Sequence, residues 1–264
     1  MADLGRLTQL WFICGAFGGR AYGPMDDNIA RAIVNRAVEL GVTFFDTAHI
    51  YGAGKSEEIL GECLPSNAKI CTKLGYDTTS GKGVKNYSSE FLEATLMTSL
   101  KRLRREKIDL LLLHNPPTEV LRDSQIYKWL KSKIEEGKIA RWGCSIYDSI
   151  EEAELALNEG AEAIEARYSL LRRDLIDELP KGKWNFEFIA RSPLDGGLLT
   201  GLYNGSELFH PTDQRSAMKE SYFKINQAYL RELQSLIDAG IVESFAELAI
   251  RREYSRGSQR HTSS

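Results

Sequence analysis

The 264-residue chain is 42% hydrophobic and 27% charged, an ordinary balance for a soluble globular protein, and its length suits one barrel domain of about 250 residues. A net charge of −3 excludes a dedicated nucleic-acid or anionic-membrane surface, which needs a basic excess. The expected partner is therefore a small molecule.

From the start, Met1-Ala2-Asp3 lacks the basic segment and apolar run of a secretory signal, and the run from Leu10 to Cys14 is too short to span a bilayer. Short apolar runs then recur at residues 10–17, 43–48, 68–74, 108–114, 141–146, 163–168 and 186–194. Near-continuous hydrophobicity is what parallel strands show when both faces are buried. Helical spacing fills the gaps. Ile29, Ile33, Ala37 and Leu40 line one face before Gly41. Leu92, Leu96, Leu100 and Leu103 line another. A third helix runs over 125–136 and stops at Gly137, and a fourth starts at Ser149 as N-cap and ends before Gly160. Strand and helix alternating in this way predict parallel β-α-β units, with function at the carboxyl ends of the strands. Residues 203–222 read as one long irregular loop.

Several chemistries lack their motif. No G-x-G-x-x-G follows a strand. Gly52 to Ser56 resembles part of a phosphate loop, but His49 stands where that loop needs glycine. The plainer reading is a glycine turn feeding a helix near Ser56, with Glu57 and Glu58 at its positive end. No G-x-S-x-G elbow occurs. His49, His114, His210 and His261 have no metal-ligand spacing, so no metal is expected. Cys14, Cys63, Cys71 and Cys144 form no C-x-x-C pair. Three of them lie in apolar runs as small hydrophobes, which suits a reducing cytoplasm.

The chemistry concentrates at strand ends. The second, third and fourth apolar runs terminate in Asp46, Lys73 and His114. Neighbouring strands lie about 4.8 Å apart, so the three side chains should converge at one mouth, with Tyr51 in the loop above. An ammonium beside a phenol favours the phenolate and is expected to lower the Tyr51 pKa. Such a tyrosine suits general acid catalysis, and a neighbouring histidine can orient a carbonyl. Taken singly, each residue also reads as a buried ion pair, a strand-end residue or loop packing.

The strings Gly41 to Ala48 with Tyr51-Gly52 and Ser56-Glu57, then Cys71 to Gly75, Asp109 to His114, Glu136 to Ile139, Gly143 to Ser145, and Ser192 to Gly201 resemble the aldo-keto reductase family. The resemblance implies a (β/α)8 TIM-type barrel and NADP(H)-dependent reduction of a small carbonyl, or oxidation of an alcohol. It implies Tyr51 as proton donor, Lys73 and Asp46 as its tuning pair, and His114 as the group orienting the substrate. It places the cofactor against Ser145, Glu165, Arg191, Ser192, Leu194, Gly196 and Gly197. The chain departs from the family where Ile146 and Glu165 replace Asn and Gln at the nicotinamide, Arg191 replaces a stacking aromatic, and Ile13-Cys14 stands for Gly-Thr. No apolar strand follows residue 250. The barrel is thus expected over residues 1–250 with its eighth strand missing or irregular, followed by a divergent basic tail at 251–264. An open seam would favour self-association, and the altered contacts predict weak cofactor binding. A cofactor-independent lyase or isomerase using Tyr51 and Lys73 is the alternative.

Overall fold

Each of the seven apolar runs contains a strand in the computed structural model, which describes residues 11–19, 22–79, 83–172, 174–180, 182–203, 208–218 and 220–257. They are β1 (Trp11–Ile13), β2 (Phe44–Asp46), β3 (Lys69–Leu74), β6 (Leu110–His114), β7 (Trp142–Ser145), β8 (Ala163–Arg167) and β9 (Glu187–Arg191). A hairpin of β4 (Tyr76–Asp77) and β5 (Val84–Lys85) intervenes. The strands are shorter than the apolar runs. β1 gives way to a turn after Ile13, and β9 ends where Ser192 takes φ 60°.

The seven strands form one parallel sheet in the order β1-β2-β3-β6-β7-β8-β9, the nearly closed barrel of a TIM-type fold. Helices α1 (Asp27–Glu39), α2 (Lys55–Cys63), α3 (Ser89–Leu103), α4 (Thr118–Leu121), α5 (Ser124–Glu135), α6 (Ile150–Asn158) and α7 (Asp174–Glu178) fall between the strands. Their starts are capped as composition suggests. The Asp26 carboxylate accepts from the Asn28 and Ile29 amides, and the Ser149 hydroxyl from the Glu152 amide. The expected loop at 203–222 is interrupted by a 3-10 turn (Gln214–Ala217) and ends early, because α8 begins at Glu220 and runs to Asp238.

Side chains alternate across each strand with period two. Leu111 and Leu113 point outward into the helix-facing core, whereas Leu110 and Leu112 join Cys71, Ala163 and Ile189 inside the barrel. Continuing the inward register by two residues reaches His114, Lys73, Glu165 and Arg191. The interior is therefore apolar in the middle and charged at the carboxyl end.

No strand among the described residues pairs with the outer side of β9 or β1. Side chains span the seam instead. Trp11 Nε1 donates to Glu187 Oε1 at 2.9 Å, and Arg141 pairs with Glu187 Oε2 at 2.6 Å. Helix α9 (Phe245–Gly257) packs with α8 through Leu230 and Ala249 onto Leu170 and Leu199. It crosses residue 250 and runs on to Gly257. Residues 258–264, with Arg260, and the side chains of Arg252 and Arg256 lie outside the described residues.

Candidate active site

Tyr51 owes its position to a close backbone approach. It opens a 3-10 turn in which Gly52 and Ala53 take φ 61° and 55°. A Cβ on Gly52 would lie 2.4 Å from Gly18 Cα, so only glycine fits. The turn sets the Tyr51 ring over the mouth, edge-on to His114 at 6.0 Å and 5.4 Å from Lys73 Nζ. Below it, Lys73 Nζ reaches Asp46 Oδ1 and Oδ2 at 2.5 Å and the Thr47 carbonyl at 3.0 Å. Asp46, Lys73, His114 and Tyr51 thus meet at one end of the barrel. Thr47 itself is tied by its hydroxyl to Ser56, whose hydroxyl donates to the Cys14 carbonyl.

The structure adds members that sequence reasoning placed elsewhere. Glu165 Oε2 lies 3.1 Å from Lys73 Nζ, so the lysine carries two carboxylates. Glu165 Oε1 accepts from the Ser145 hydroxyl at 2.9 Å and lies 3.5 Å from Arg191 Nε, while Arg191 Nη2 donates to the Ile146 carbonyl at 3.0 Å. The residues expected to meet a nicotinamide are bonded to one another and to Lys73. A carboxamide bound there would have to compete with these bonds. Tyr76 was also missed. The β4–β5 hairpin brings its ring edge-on to His114 at 5.0 Å, and Tyr87 Oη donates to the His114 carbonyl at 2.7 Å. The glycine-rich turn between Asp77 and Val84 was the available hairpin signal.

These surroundings correct the expectation for Tyr51. Burial pushes its phenol above the usual value, Lys73 and Arg191 pull down, and Asp46 and Glu165 push up. The ammonium's effect is offset by two carboxylates and outweighed by desolvation, so Tyr51 keeps its proton. Burial likewise lifts Asp46 to about 7, against Lys73 and with Glu165. Lys73 rises because both carboxylates outweigh its burial. His114 is held neutral by burial and then by Lys73, Arg191 and Lys85. Its Nδ1 is buried with no hydrogen-bond partner.

After β9 the chain makes a 3-10 turn (Asp195–Thr200), with Gly196 and Gly197 at φ 71° and 96°. The Leu194 carbonyl accepts from the Gly197 and Leu199 amides. Tyr203 packs on Gly197, where a Cβ would lie 2.8 Å from its ring. Arg215, chelated by Asp213, donates to Tyr203 Oη at 2.8 Å. Ser192, Leu194, Gly196 and Gly197 are therefore one braced loop beside the mouth. No group of His, Cys, Asp or Glu suited to a metal occurs among the described residues, and no described helix is long and apolar enough to cross a membrane.

The model of the Aldo/keto reductase family matches residues 14–259. The chain belongs to this family. An uncharacterized oxidoreductase of Mycobacterium tuberculosis is 33% identical over 210 residues, covering 76% of this chain and 62% of that protein. An aldo-keto reductase of Schizosaccharomyces pombe, whose name carries NADP(+), is 28% identical over 221 residues, covering 77% and 64%. The chain thus spans less than two thirds of the length of these relatives. Among solved structures, the glycerol dehydrogenase AKR11B4 from Gluconobacter oxydans matches with a TM-score of 0.79 at 27% identity, covering 91% of this chain and 77% of that one. The family is one of oxidoreductases, typically NADP-dependent and acting on small molecules.

Proposed function

We propose that this aldo-keto reductase reduces a small carbonyl compound, or oxidises the matching alcohol, with Tyr51 as proton donor. The observation that carries the reading is the phenol of Tyr51 and the ring of His114 sharing one mouth above the Lys73–Asp46 pair. Neutral His114 orients the carbonyl. Tyr51, which stays protonated, gives its proton to the carbonyl oxygen as charge develops there. Lys73 and Asp46 hold the local field, since a charge developing in a dry site is stabilised by groups already in place. Side chains supply no hydride, and NADP(H), when bound, would supply it. The phosphate-bearing part of that cofactor is assigned to the Ser192, Leu194, Gly196 and Gly197 loop. Its redox end would be held by Ser145, Glu165 and Arg191, whose present bonding to one another would make that binding weak. The buried thiols Cys14, Cys71 and Cys144 suit a cytoplasmic setting.

Tyr51→Phe tests the reading. The ring and its packing survive and only the transferable proton is lost. Turnover of small aldehydes should fall about 10²–10⁴-fold with NADPH affinity unchanged, and undiminished turnover would remove tyrosine from the mechanism. The filled carboxamide seat favours a second reading, a lyase or isomerase moving a proton with Tyr51 and Lys73. Turnover that needs Tyr51 but proceeds without any nicotinamide cofactor would establish it.

A further inference from the structure

Three buried ionisable groups and one at the rim alternate in sign across the inside of the barrel: Asp46, Lys73, Glu165 and Arg191. Lys73 and both carboxylates are closed to solvent, and Arg191 sits at the rim with its side chain 17% exposed. The lysine's contacts go to Asp46, Thr47 and Glu165, and its ammonium stands 5.4 Å from the centre of the Tyr51 ring. Glu165 in turn faces the Ser145 hydroxyl and the Arg191 guanidinium.

We propose that Glu165 and Arg191 are positioning residues that act on Tyr51 through Lys73. Glu165 draws the ammonium off the phenol, Arg191 restrains Glu165, and the balance sets how tightly Tyr51 holds its proton. This rests on Tyr51 as the proton donor. The titratable and charged groups around Tyr51 are Asp46 from β2, Lys73 from β3, His114 from β6, Glu165 from β8 and Arg191 from β9; the Cys14 and Cys71 thiols beside Lys73 stay protonated. Of these, only Glu165 and Arg191 can lose their charge while the Lys73–Asp46 pair stays intact. A unit charge about 4–6 Å away in a medium of effective dielectric about 20 moves a titration by about two to three pH units.

The test places 3-fluorotyrosine at position 51, whose phenol ionises at lower pH than tyrosine, and follows its titration by fluorine NMR in the protein without added cofactor. Glu165→Gln should move the midpoint down, because Lys73 then faces the phenol with one carboxylate fewer. Arg191→Met should move it up, because Glu165 loses its second cation. The double variant should return near the wild-type midpoint. Opposite signs separate this role from a brace, since breaking a brace from either side loosens Lys73 in the same way. Equal-sign shifts, or none, overturn the proposal. Opposite shifts in a protein with no reductase activity would instead leave the coupling standing and sink the reductase reading. Neither single variant removes Lys73 or Asp46, Arg191 keeps the Ile146 carbonyl in one and Glu165 keeps Ser145 in the other, and the isosteric Glu165→Gln shift alone decides the sign if another variant folds poorly.

Discussion

Lys73→Met removes the cation that two buried carboxylates share. Asp46 is 1% exposed and Glu165 fully buried, and the lysine bonds both oxygens of Asp46. After the change Glu165 keeps Arg191 at 3.5 Å, but Asp46 loses its cation outright. Breaking one side of a buried pair costs about 3–5 kcal/mol, or roughly 6–20 °C of Tm for a chain of this size. The cost depends on pH. An unfolded aspartate titrates near ~3.9, whereas folded Asp46 titrates near 7, raised first by burial. The folded state therefore binds the extra proton, and stability is lost as pH rises through that window. Without Lys73 the upper edge of the window moves higher, so the penalty grows by up to about 1.4 kcal/mol per pH unit. Urea unfolding of both proteins at pH 5 and pH 8 reads this directly. The variant should be closer to wild type at pH 5, and Lys73→Met/Asp46→Asn should recover part of the loss. A deficit below ~1 kcal/mol at pH 8, or one equal at both pH values, would refute the reasoning.

Two further outcomes follow from groups away from that pair. His49 is held to about 4 by burial and by Arg102, whose guanidinium lies 3.1 Å from its Nδ1. Folded His49 binds fewer protons than unfolded histidine, so it costs stability as pH falls from 6.5 toward 4, by no more than about 1–2 kcal/mol after solvent screening. His49→Gln keeps a ring-sized acceptor for Arg102 and should flatten that slope in urea titrations at the two pH values. For the cofactor, nicotinamide fluorescence should give weak NADPH binding and a preference over NADH of less than about tenfold. Arg251, the cation of the last helix whose side chain is described, is already paired with Glu247 at 2.7 Å. Tight NADPH binding that weakens steeply with salt, beside poor NADH binding, would show other cations at that phosphate.

Asp46, Lys73 and His114 were legible because each closes an apolar strand, and period two then fixes which way it points. The same rule was available for Glu165 and Arg191. Both lie in register with the inward positions Ala163 and Ile189, so their meeting with Lys73 follows from counting. Their reading as cofactor contacts hid it, because a resemblance assigns residues one at a time and says nothing of bonds between substituted neighbours. The Tyr51 proton was misjudged for a related reason. Spacing shows which charges are near, whereas the sign of the shift here is decided by burial, which sequence does not measure. The β4–β5 hairpin is two residues per strand, too short for any periodicity to register. Glu57 stands in the first turn of α2 as expected, and the structure adds that it is fully buried and accepts from Thr72 and Arg102, because α2 packs that face against the barrel and α3.

The edge of the sheet and the altered site are connected through β9. This strand has ladder bonds only to β8 among the described residues, and an edge strand held on one side is the part of a barrel most free to shift. Both of its ends carry side-chain ties. Glu187 at the start holds Trp11 across the seam and Arg141 beside it. Arg191 at the finish holds the Ile146 carbonyl and Glu165. The second tie reaches the lysine beneath Tyr51 in one further step, at 3.1 Å. A stacking aromatic at position 191 would leave that end of β9 without a polar anchor, and a neutral amide at 165 would weaken the anchor's counter-charge. Charged residues at these two positions thus reinforce the paired side of β9, beside its ladder to β8. They do it beside the lysine beneath Tyr51, so at this end of the barrel the hold on β9 and the proposed proton chemistry involve the same pair.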